Sequence, residues 1–195
     1  LEISAGTTLD VLPSAGVAGV DEKNLSVGGS WNNSGTFNER ANAGVSVTLD
    51  GAGNIGNDET FYNLVINTLN TTTGHYTFSN ITVANKFTST AGLFTFQPSS
   101  SKTFAASDLF QIDGGTFNLN TSSAIFTAAN DLDLNGGTFD QDNGAATITG
   151  NIDIDGGKLQ LDGGTMNMNG TLADIAVATG EIEVNGATLT IGNGT

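Results

Sequence analysis

An eight-residue pattern recurs along this chain: apolar, any, apolar, Asp or Asn, Gly, Gly, any, apolar. It reads FQIDGGTF at 110–117, LDLNGGTF at 132–139, IDIDGGKL at 152–159 and, with Ala for the second Gly, IEVNGATL at 182–189. The first three copies start about 20 residues apart and the last follows after a longer gap, a period that marks a repeat architecture. In such an architecture one unit buries its apolar side only by stacking on its neighbours. A rung of about 20–23 residues holds three short strands with a turn after each, one coil of a parallel β-helix.

Side chains alternate across a strand, so the first and third motif positions point inward. Phe110 with Ile112, Leu132 with Leu134, Ile152 with Ile154, and Ile182 with Val184 are expected to stack as one core column. The Asx-Gly-Gly element then makes the corner: Asp113, Gly114 and Gly115; Asn135, Gly136 and Gly137; Asp155, Gly156 and Gly157; Asn185 and Gly186. Glycine there would supply positive φ, and the Asp and Asn side chains would form a ladder between coils. The longer interval from Ile152 to Ile182 predicts an extra loop or short coil within 162–180. Looser copies, FTSTAGLF at 87–94 and LSVGGSW at 25–31, extend the repeat upstream. The chain therefore reads as a single elongated β-solenoid over 1–195, with degenerate coils over 1–86 and regular ones over 87–195.

Composition agrees with an all-β chain. Short Val, Ile, Leu, Phe and Thr runs are cut by Gly, Asn and Asp, and no window carries a helical stripe, so almost no helix is expected. A β-sandwich repeat is the alternative, because short strands do not by themselves fix parallel pairing. Cysteine is absent, and no apolar run approaches the ~18 residues of a membrane span. With 20 acidic residues against five basic ones and a net charge of −15, the chain lacks the cations that neutralise phosphate. Nucleic acid and anionic membranes are accordingly excluded as expected partners.

No catalytic set stands out, and the chain is read as non-enzymatic. His75 is the only histidine and is expected in a surface loop. A lyase would need basic residues to hold developing negative charge, but Lys23, Arg40, Lys86, Lys102 and Lys158 are scattered. The second motif position holds Gln111, Asp133, Asp153 and Glu183, which alternation points outward. If Asp133, Asp153 and Glu183 stack, a Ca²⁺ with its preference for several oxygen ligands would offset their repulsion, and calcium is the one cofactor this pattern suggests. Thr147/Thr149 and Thr188/Thr190 fall at different offsets from the motif, which argues against an ice-binding Thr-x-Thr column.

The segment VSVTLDGAGNIGNDETFYNLVIN at 45–67, preceded by SWNNSGTF at 30–37, resembles a recurrent stretch of large secreted surface proteins of bacteria and archaea, the β-strand-repeat or adhesin-like proteins. The resemblance implies a right-handed parallel β-helix at the cell surface, in an adhesin, a surface layer or an extracellular filament. It brings no common catalytic residues. Both chain ends read as ordinary repeat, LEISAGTTL at 1–9 and IEVNGATL at 182–189. The expected partners are thus copies of the chain stacked end to end, or flanking repeats of a longer one. The alternative reading is a carbohydrate-binding adhesin domain that stacks Trp31, Tyr62 or Tyr76 on sugar rings. A β-helix carbohydrate-active enzyme or tailspike fragment, with clustered carboxylates in a groove, is the third.

Overall fold

The computed structural model describes residues 1–10, 24–39, 45–69, 74–170 and 175–192. Among them there is no helix, and the strand pairings are parallel throughout. The chain is a parallel β-helix, which sets aside the β-sandwich alternative. No helix is long and apolar enough to cross a membrane.

Each coil lays one strand on each of three faces. Face A begins with Leu25–Val27 and Ser46–Leu49, continues through the second halves of Glu59–Asn67 and Ile81–Ala91, and runs on through Leu109–Ile112, Leu132–Leu134, Ile152–Ile154 and Ile175–Val177. These eight strands are joined by seven parallel pairings, so the chain completes about seven turns. Face B stacks Gly53–Ile55, His75–Thr77, Leu93–Phe96, Thr116–Leu119, Thr138–Gln141, Lys158–Leu161 and Glu181–Val184. Face C stacks the first halves of Glu59–Asn67 and Ile81–Ala91 on Lys102–Ala106, Ala124–Ala128, Ala145–Ile148, Thr165–Met168 and Thr188–Ile191. At the other end Glu2–Ile3 pairs with Asn32–Asn33 and Thr8–Asp10 with Thr36–Asn38.

Register follows the apolar alternation. Leu25, Val47, Leu64, Phe87, Phe110, Leu132, Ile152 and Ile175 form one inward column of face A. Successive members are one coil apart, and the step is shortest between Val47 and Leu64, where Glu59–Asn67 runs from face C to face A as one strand. The middle coils are filled by phenylalanine. Neighbours in register stack nearly flat, Phe87 on Phe110 with ring centroids 4.4 Å apart and Phe94 on Phe117 at 5.5 Å, while rings from different faces meet edge to face. Polar residues admitted to the core bond to backbone carbonyls: Ser89 Oγ donates to Gly114 O at 3.0 Å and Gln141 Nε2 to Thr165 O at 3.0 Å.

The fourth motif copy sits one corner later than the other three. Ile152 pairs with Ile175, whereas Ile182 pairs with Leu159 on face B. The long interval before Ile182 therefore reflects a change of corner rather than an added coil. Thr165–Met168 is an ordinary face C strand, and the part of the expected insertion at 171–174 lies outside the described residues. Ile182 and Val184 accordingly join the Phe117, Phe139, Leu159 and Leu119, Gln141, Leu161 columns, not that of Phe110.

The corner glycines serve two purposes. Gly115 and Gly186 take positive φ, +75° and +83°, as expected. Gly136, Gly137, Gly156 and Gly157 do not; there the coils approach too closely for a side chain, and a Cβ on Gly137 would lie 2.3 Å from Ile112 Cγ2 and 2.7 Å from Gly115 O.

Near the start of the stack Trp31 is fully buried against Phe37 and Phe61, and its Nε1 donates to Glu59 Oε2 at 2.7 Å. Glu39 accepts a hydrogen bond from the Tyr62 backbone N–H. Burial pushes its carboxyl from 4.5 up to about 7, with the Tyr62 bond opposing and the charge of Glu59 adding. The folded chain therefore keeps this proton over a range where the unfolded chain has released it. That contribution to stability is complete below pH 4.5 and is lost as pH rises through about 7. Glu39 alone should make the protein about 2 kcal/mol more stable to urea at pH 5 than at pH 8, a slope isolated by comparison with Glu39→Gln. Glu39→Gln should flatten that slope, and an unchanged slope in the variant would refute the assignment.

Candidate cation site on face B

Strand alternation on face B puts Asn118, Asp140, Gln160 and Glu183 in one outward column. Two residues later, where each strand ends, come Asn120, Asp142, Asp162 and Asn185. The local sequences FNLN, FDQD, LQLD and IEVN therefore deliver a strip of amides and carboxylates, two per coil, along the edge between faces B and C.

At several corners of the solenoid an acid is relieved by an amide one coil away. Asn135 Nδ2 donates to Asp113 Oδ1 at 2.8 Å, Asn130 to Asp108 at 2.7 Å, Asn80 to Asp58 at 2.7 Å and Asn185 to Asp162 at 3.1 Å. Each is a charge-assisted bond that replaces repulsion between like charges. The corner ladder expected of Asp113, Asn135 and Asn185 is thus built from amide–carboxylate pairs, with Asn185 reaching Asp162 rather than Asp155.

At Asp140, Asp142 and Asp162 the relief is incomplete. Carboxylate oxygens of all three lie within 4.8 Å of one another. Asn118 Nδ2 donates to Asp140 Oδ2 at 2.9 Å and to Asp142 Oδ2 at 3.0 Å, and Asn120 Nδ2 reaches Asp142 Oδ2 at 3.5 Å. Asp162 is better served, by Gln160 at 2.6 Å and by Asn185, and these bonds hold its carboxyl below the usual range. Asp140 is shifted the other way. Burial raises its pKa most, the Asn118 bond opposes, and the charges of Asp142 and Asp162 add to the rise. Two oxygens here are buried without a partner, Asp140 Oδ1 and Asn118 Oδ1, and the Asn118 residue is only 7% exposed. Lys158, whose charge reaches Asp140, is bonded to Glu183.

The motif's second position does not supply this cluster. Asp133 and Asp153 are direct neighbours on face A, and burial together with the Asp153 charge raises the Asp133 pKa. Glu183 is on face B beside Gln160, because the fourth motif copy is displaced by one corner, so the three residues expected to share a calcium do not converge. The cluster lies just beyond the eight-residue motif, after Phe139 and Leu159, where a reading centred on Gly-Gly does not look. The visible signal is the repeat of N-x-N, D-x-D and Q-x-D at the ends of the face B strands.

The aromatic candidates are dispersed. Trp31 is buried and offers no face to a sugar, Tyr62 is half-buried, and Tyr76 is 38% exposed beside the exposed Phe78, ring centroids 5.4 Å apart. His75 is buried on face B rather than in a surface loop; Gly29 O lies 3.2 Å from its Nε2, and burial lowers its pKa. Face C corrects the threonine reading in part. Thr60 pairs with Thr82, and Thr127, Thr147, Asn167 and Thr190 form one outward column, while Thr165 and Thr188 form the adjacent one. The column exists, although only Thr188 and Thr190 make a Thr-x-Thr pair on its strands. The face C strands from Ala124–Ala128 onward carry no charged residue, so in these coils the acidity belongs to faces A and B and to the corners. The chain matches no family model, no curated protein and no solved structure.

Proposed function

We propose that this chain is a non-enzymatic structural element of an extracellular surface assembly, a filament, surface layer or adhesin stalk, in which coils stack end to end. The observation behind this reading is the state of the last described coil, which another coil, of a second copy or of flanking repeat, would cover. Val177, Val184 and Ile191 occupy the inward columns of faces A, B and C directly after Ile154, Leu161 and Met168, which are fully buried. Yet they are 46%, 45% and 54% exposed. Their strands also leave one edge without a parallel neighbour among the described residues. Apolar columns and open strand edges of this kind are a template for another coil, and β-augmentation would continue both the ladder and the core. The filled interior fits a rod rather than a container. The resemblance of 45–67 to surface proteins supports the location, and the acidity suits a surface that resists lateral aggregation.

Sedimentation velocity and negative-stain electron microscopy of the 195-residue chain test this reading. Linear assemblies with an axial repeat of roughly 40 Å are expected, eight face A strands at ~4.8 Å each. The double variant Val184→Lys, Ile191→Lys should sediment as a monomer. Monomers of the unmodified chain at every concentration would overturn end-to-end assembly. That outcome would favour the carbohydrate-binding alternative, for which the exposed Tyr76–Phe78 pair is the support.

A further inference from the structure

We infer that Asn143 is a site of spontaneous covalent modification, in which the backbone nitrogen of Gly144 closes on the Asn143 side chain and the amide leaves as ammonia. The site lies at the corner between faces B and C and does not depend on end-to-end assembly. Asn-Gly steps favour this chemistry because glycine has no side chain to obstruct the approach to its nitrogen. Four of them fall on described residues, at 135–136, 143–144, 169–170 and 185–186, and the fold treats them differently.

Two are locked. Asn135 Nδ2 donates to Asp113 Oδ1 at 2.8 Å, and the Gly136 N–H that would attack is itself bonded to Ile112 O at 3.3 Å. Asn185 Nδ2 donates to Asp162 Oδ1 at 3.1 Å and to Glu183 Oε1 at 2.6 Å. Asn143 has neither restraint. It is exposed, and among the described residues neither its carboxamide nor the Gly144 N–H has a hydrogen-bond partner. Its neighbour one coil on is Gly163, where even an added Cβ would stand 3.4 Å from Asn143 Oδ1, so no side chain pins the amide. The backbone is held, by the bond from Asn143 N to Leu119 O at 3.1 Å. The carboxamide can therefore turn to bring its carbon onto the Gly144 nitrogen, an approach within one chain that needs no second molecule. Asn169 is exposed as well, but Gly170 is buried and the residues that follow lie outside the described ones.

The step balances with water alone. Gly144 N gives up its proton to solvent base and bonds to Asn143 Cγ, the Cγ–Nδ2 bond breaks, and Nδ2 takes up a proton and departs as ammonia. Water then opens the cyclic imide at either carbonyl, giving aspartate or isoaspartate. Either product adds a carboxylate to the edge that already carries Asp140, Asp142 and Asp162. Isoaspartate also lengthens the main chain at a corner without slack: Gly144 O accepts from Thr165 N at 3.0 Å, and a Cβ on Gly164 would collide with that oxygen. The modification would thus loosen the contact between two adjacent coils as the protein ages.

Incubation of the folded whole chain in mildly alkaline buffer, followed by peptide mapping with mass spectrometry and by labelling with an isoaspartate-specific methyltransferase, tests the site. Asn143 should convert at least about tenfold faster than Asn135 and Asn185, each of which must first give up charge-assisted hydrogen bonds. In urea the three should convert at similar rates, because the difference comes from the fold and not from the local sequence. Incubation should lower the Tm of the parent chain by about 3 °C, whereas Asn143→Gln should keep its Tm. Conversion of Asn135 or Asn185 as fast as Asn143 in the folded chain, or conversion of Asn143 only after unfolding, would overturn the assignment. An equal loss of Tm in Asn143→Gln would overturn the link between this corner and ageing.

Discussion

Phe110→Ala is expected to cost about 4 kcal/mol of stability, the largest effect of any single truncation in this chain. The ring is fully buried. It lies 4.4 Å from Phe87, 4.9 Å from Phe117 and 4.7 Å from Phe126, and also contacts Phe104 and Phe139, so its removal opens a cavity facing five other rings. Those rings are held by parallel ladders on three faces and cannot collapse into the space, which is the condition under which the cavity cost is greatest. Thermal unfolding followed by circular dichroism should show Tm lower by roughly 10 °C. Phe78→Ala is the comparison: at 47% exposure it should shift Tm by no more than a degree or two. Equal shifts for the two variants would mean that the phenylalanine tier is not the cohesive centre of the stack. A repeat array also need not unfold in one step, so a second transition in Phe110→Ala would locate the break between coils.

Gly115→Ala should cost about 3 kcal/mol, through two faults at once. The residue has φ +75°, a conformation an L side chain enters only with strain. A Cβ there would also stand 2.3 Å from Gly92 O and 2.7 Å from Gly92 N, so the corner beneath would have to move, and Gly92 is itself held at φ +84°. Gly29, the second glycine of LSVGGSW, has nothing within 4 Å of an added methyl and should accept Ala nearly without cost. Urea midpoints of the two variants compare a crowded glycine at positive φ with an open one. A Gly115→Ala midpoint matching the parent would show that adjacent coils can separate at this corner without penalty.

That contrast explains how far the sequence can be read. The alternation in FQID, LDLN and IDID is local, so it predicts the Phe110, Leu132 and Ile152 column, and the pairing agrees. The Asx-Gly turn is local too, but a three-faced coil has three corners and the same chemistry serves more than one of them. IEVNGATL therefore looks like a fourth copy while occupying the next corner, and both the expected insertion and the placing of Glu183 beside Asp153 follow from that one ambiguity. Only the spacing separates the cases, since Ile175 falls one coil after Ile152 and Ile182 falls beyond it. Trp31 departs from the carbohydrate-binding alternative, and His75 from expectation, for a different reason. Their burial is decided by the coils above and below them, Ile55 and Phe61 for one and Phe94 for the other, which no local pattern reveals. The acidic edge is legible in principle, as polar pairs recurring once per coil, but only once face B is known to end there.

Because each rung of face A pairs with the one made just before it, no described strand of that face waits for a distant partner. Parallel sheets ordinarily assemble late, when remote segments meet. Here the template for every new coil emerges from the ribosome before that coil does, about 2 s earlier at ordinary elongation rates. The molecule can therefore be laid down in order, like courses of brick, and a pause in synthesis would leave a shorter rod in place of an unfolded chain.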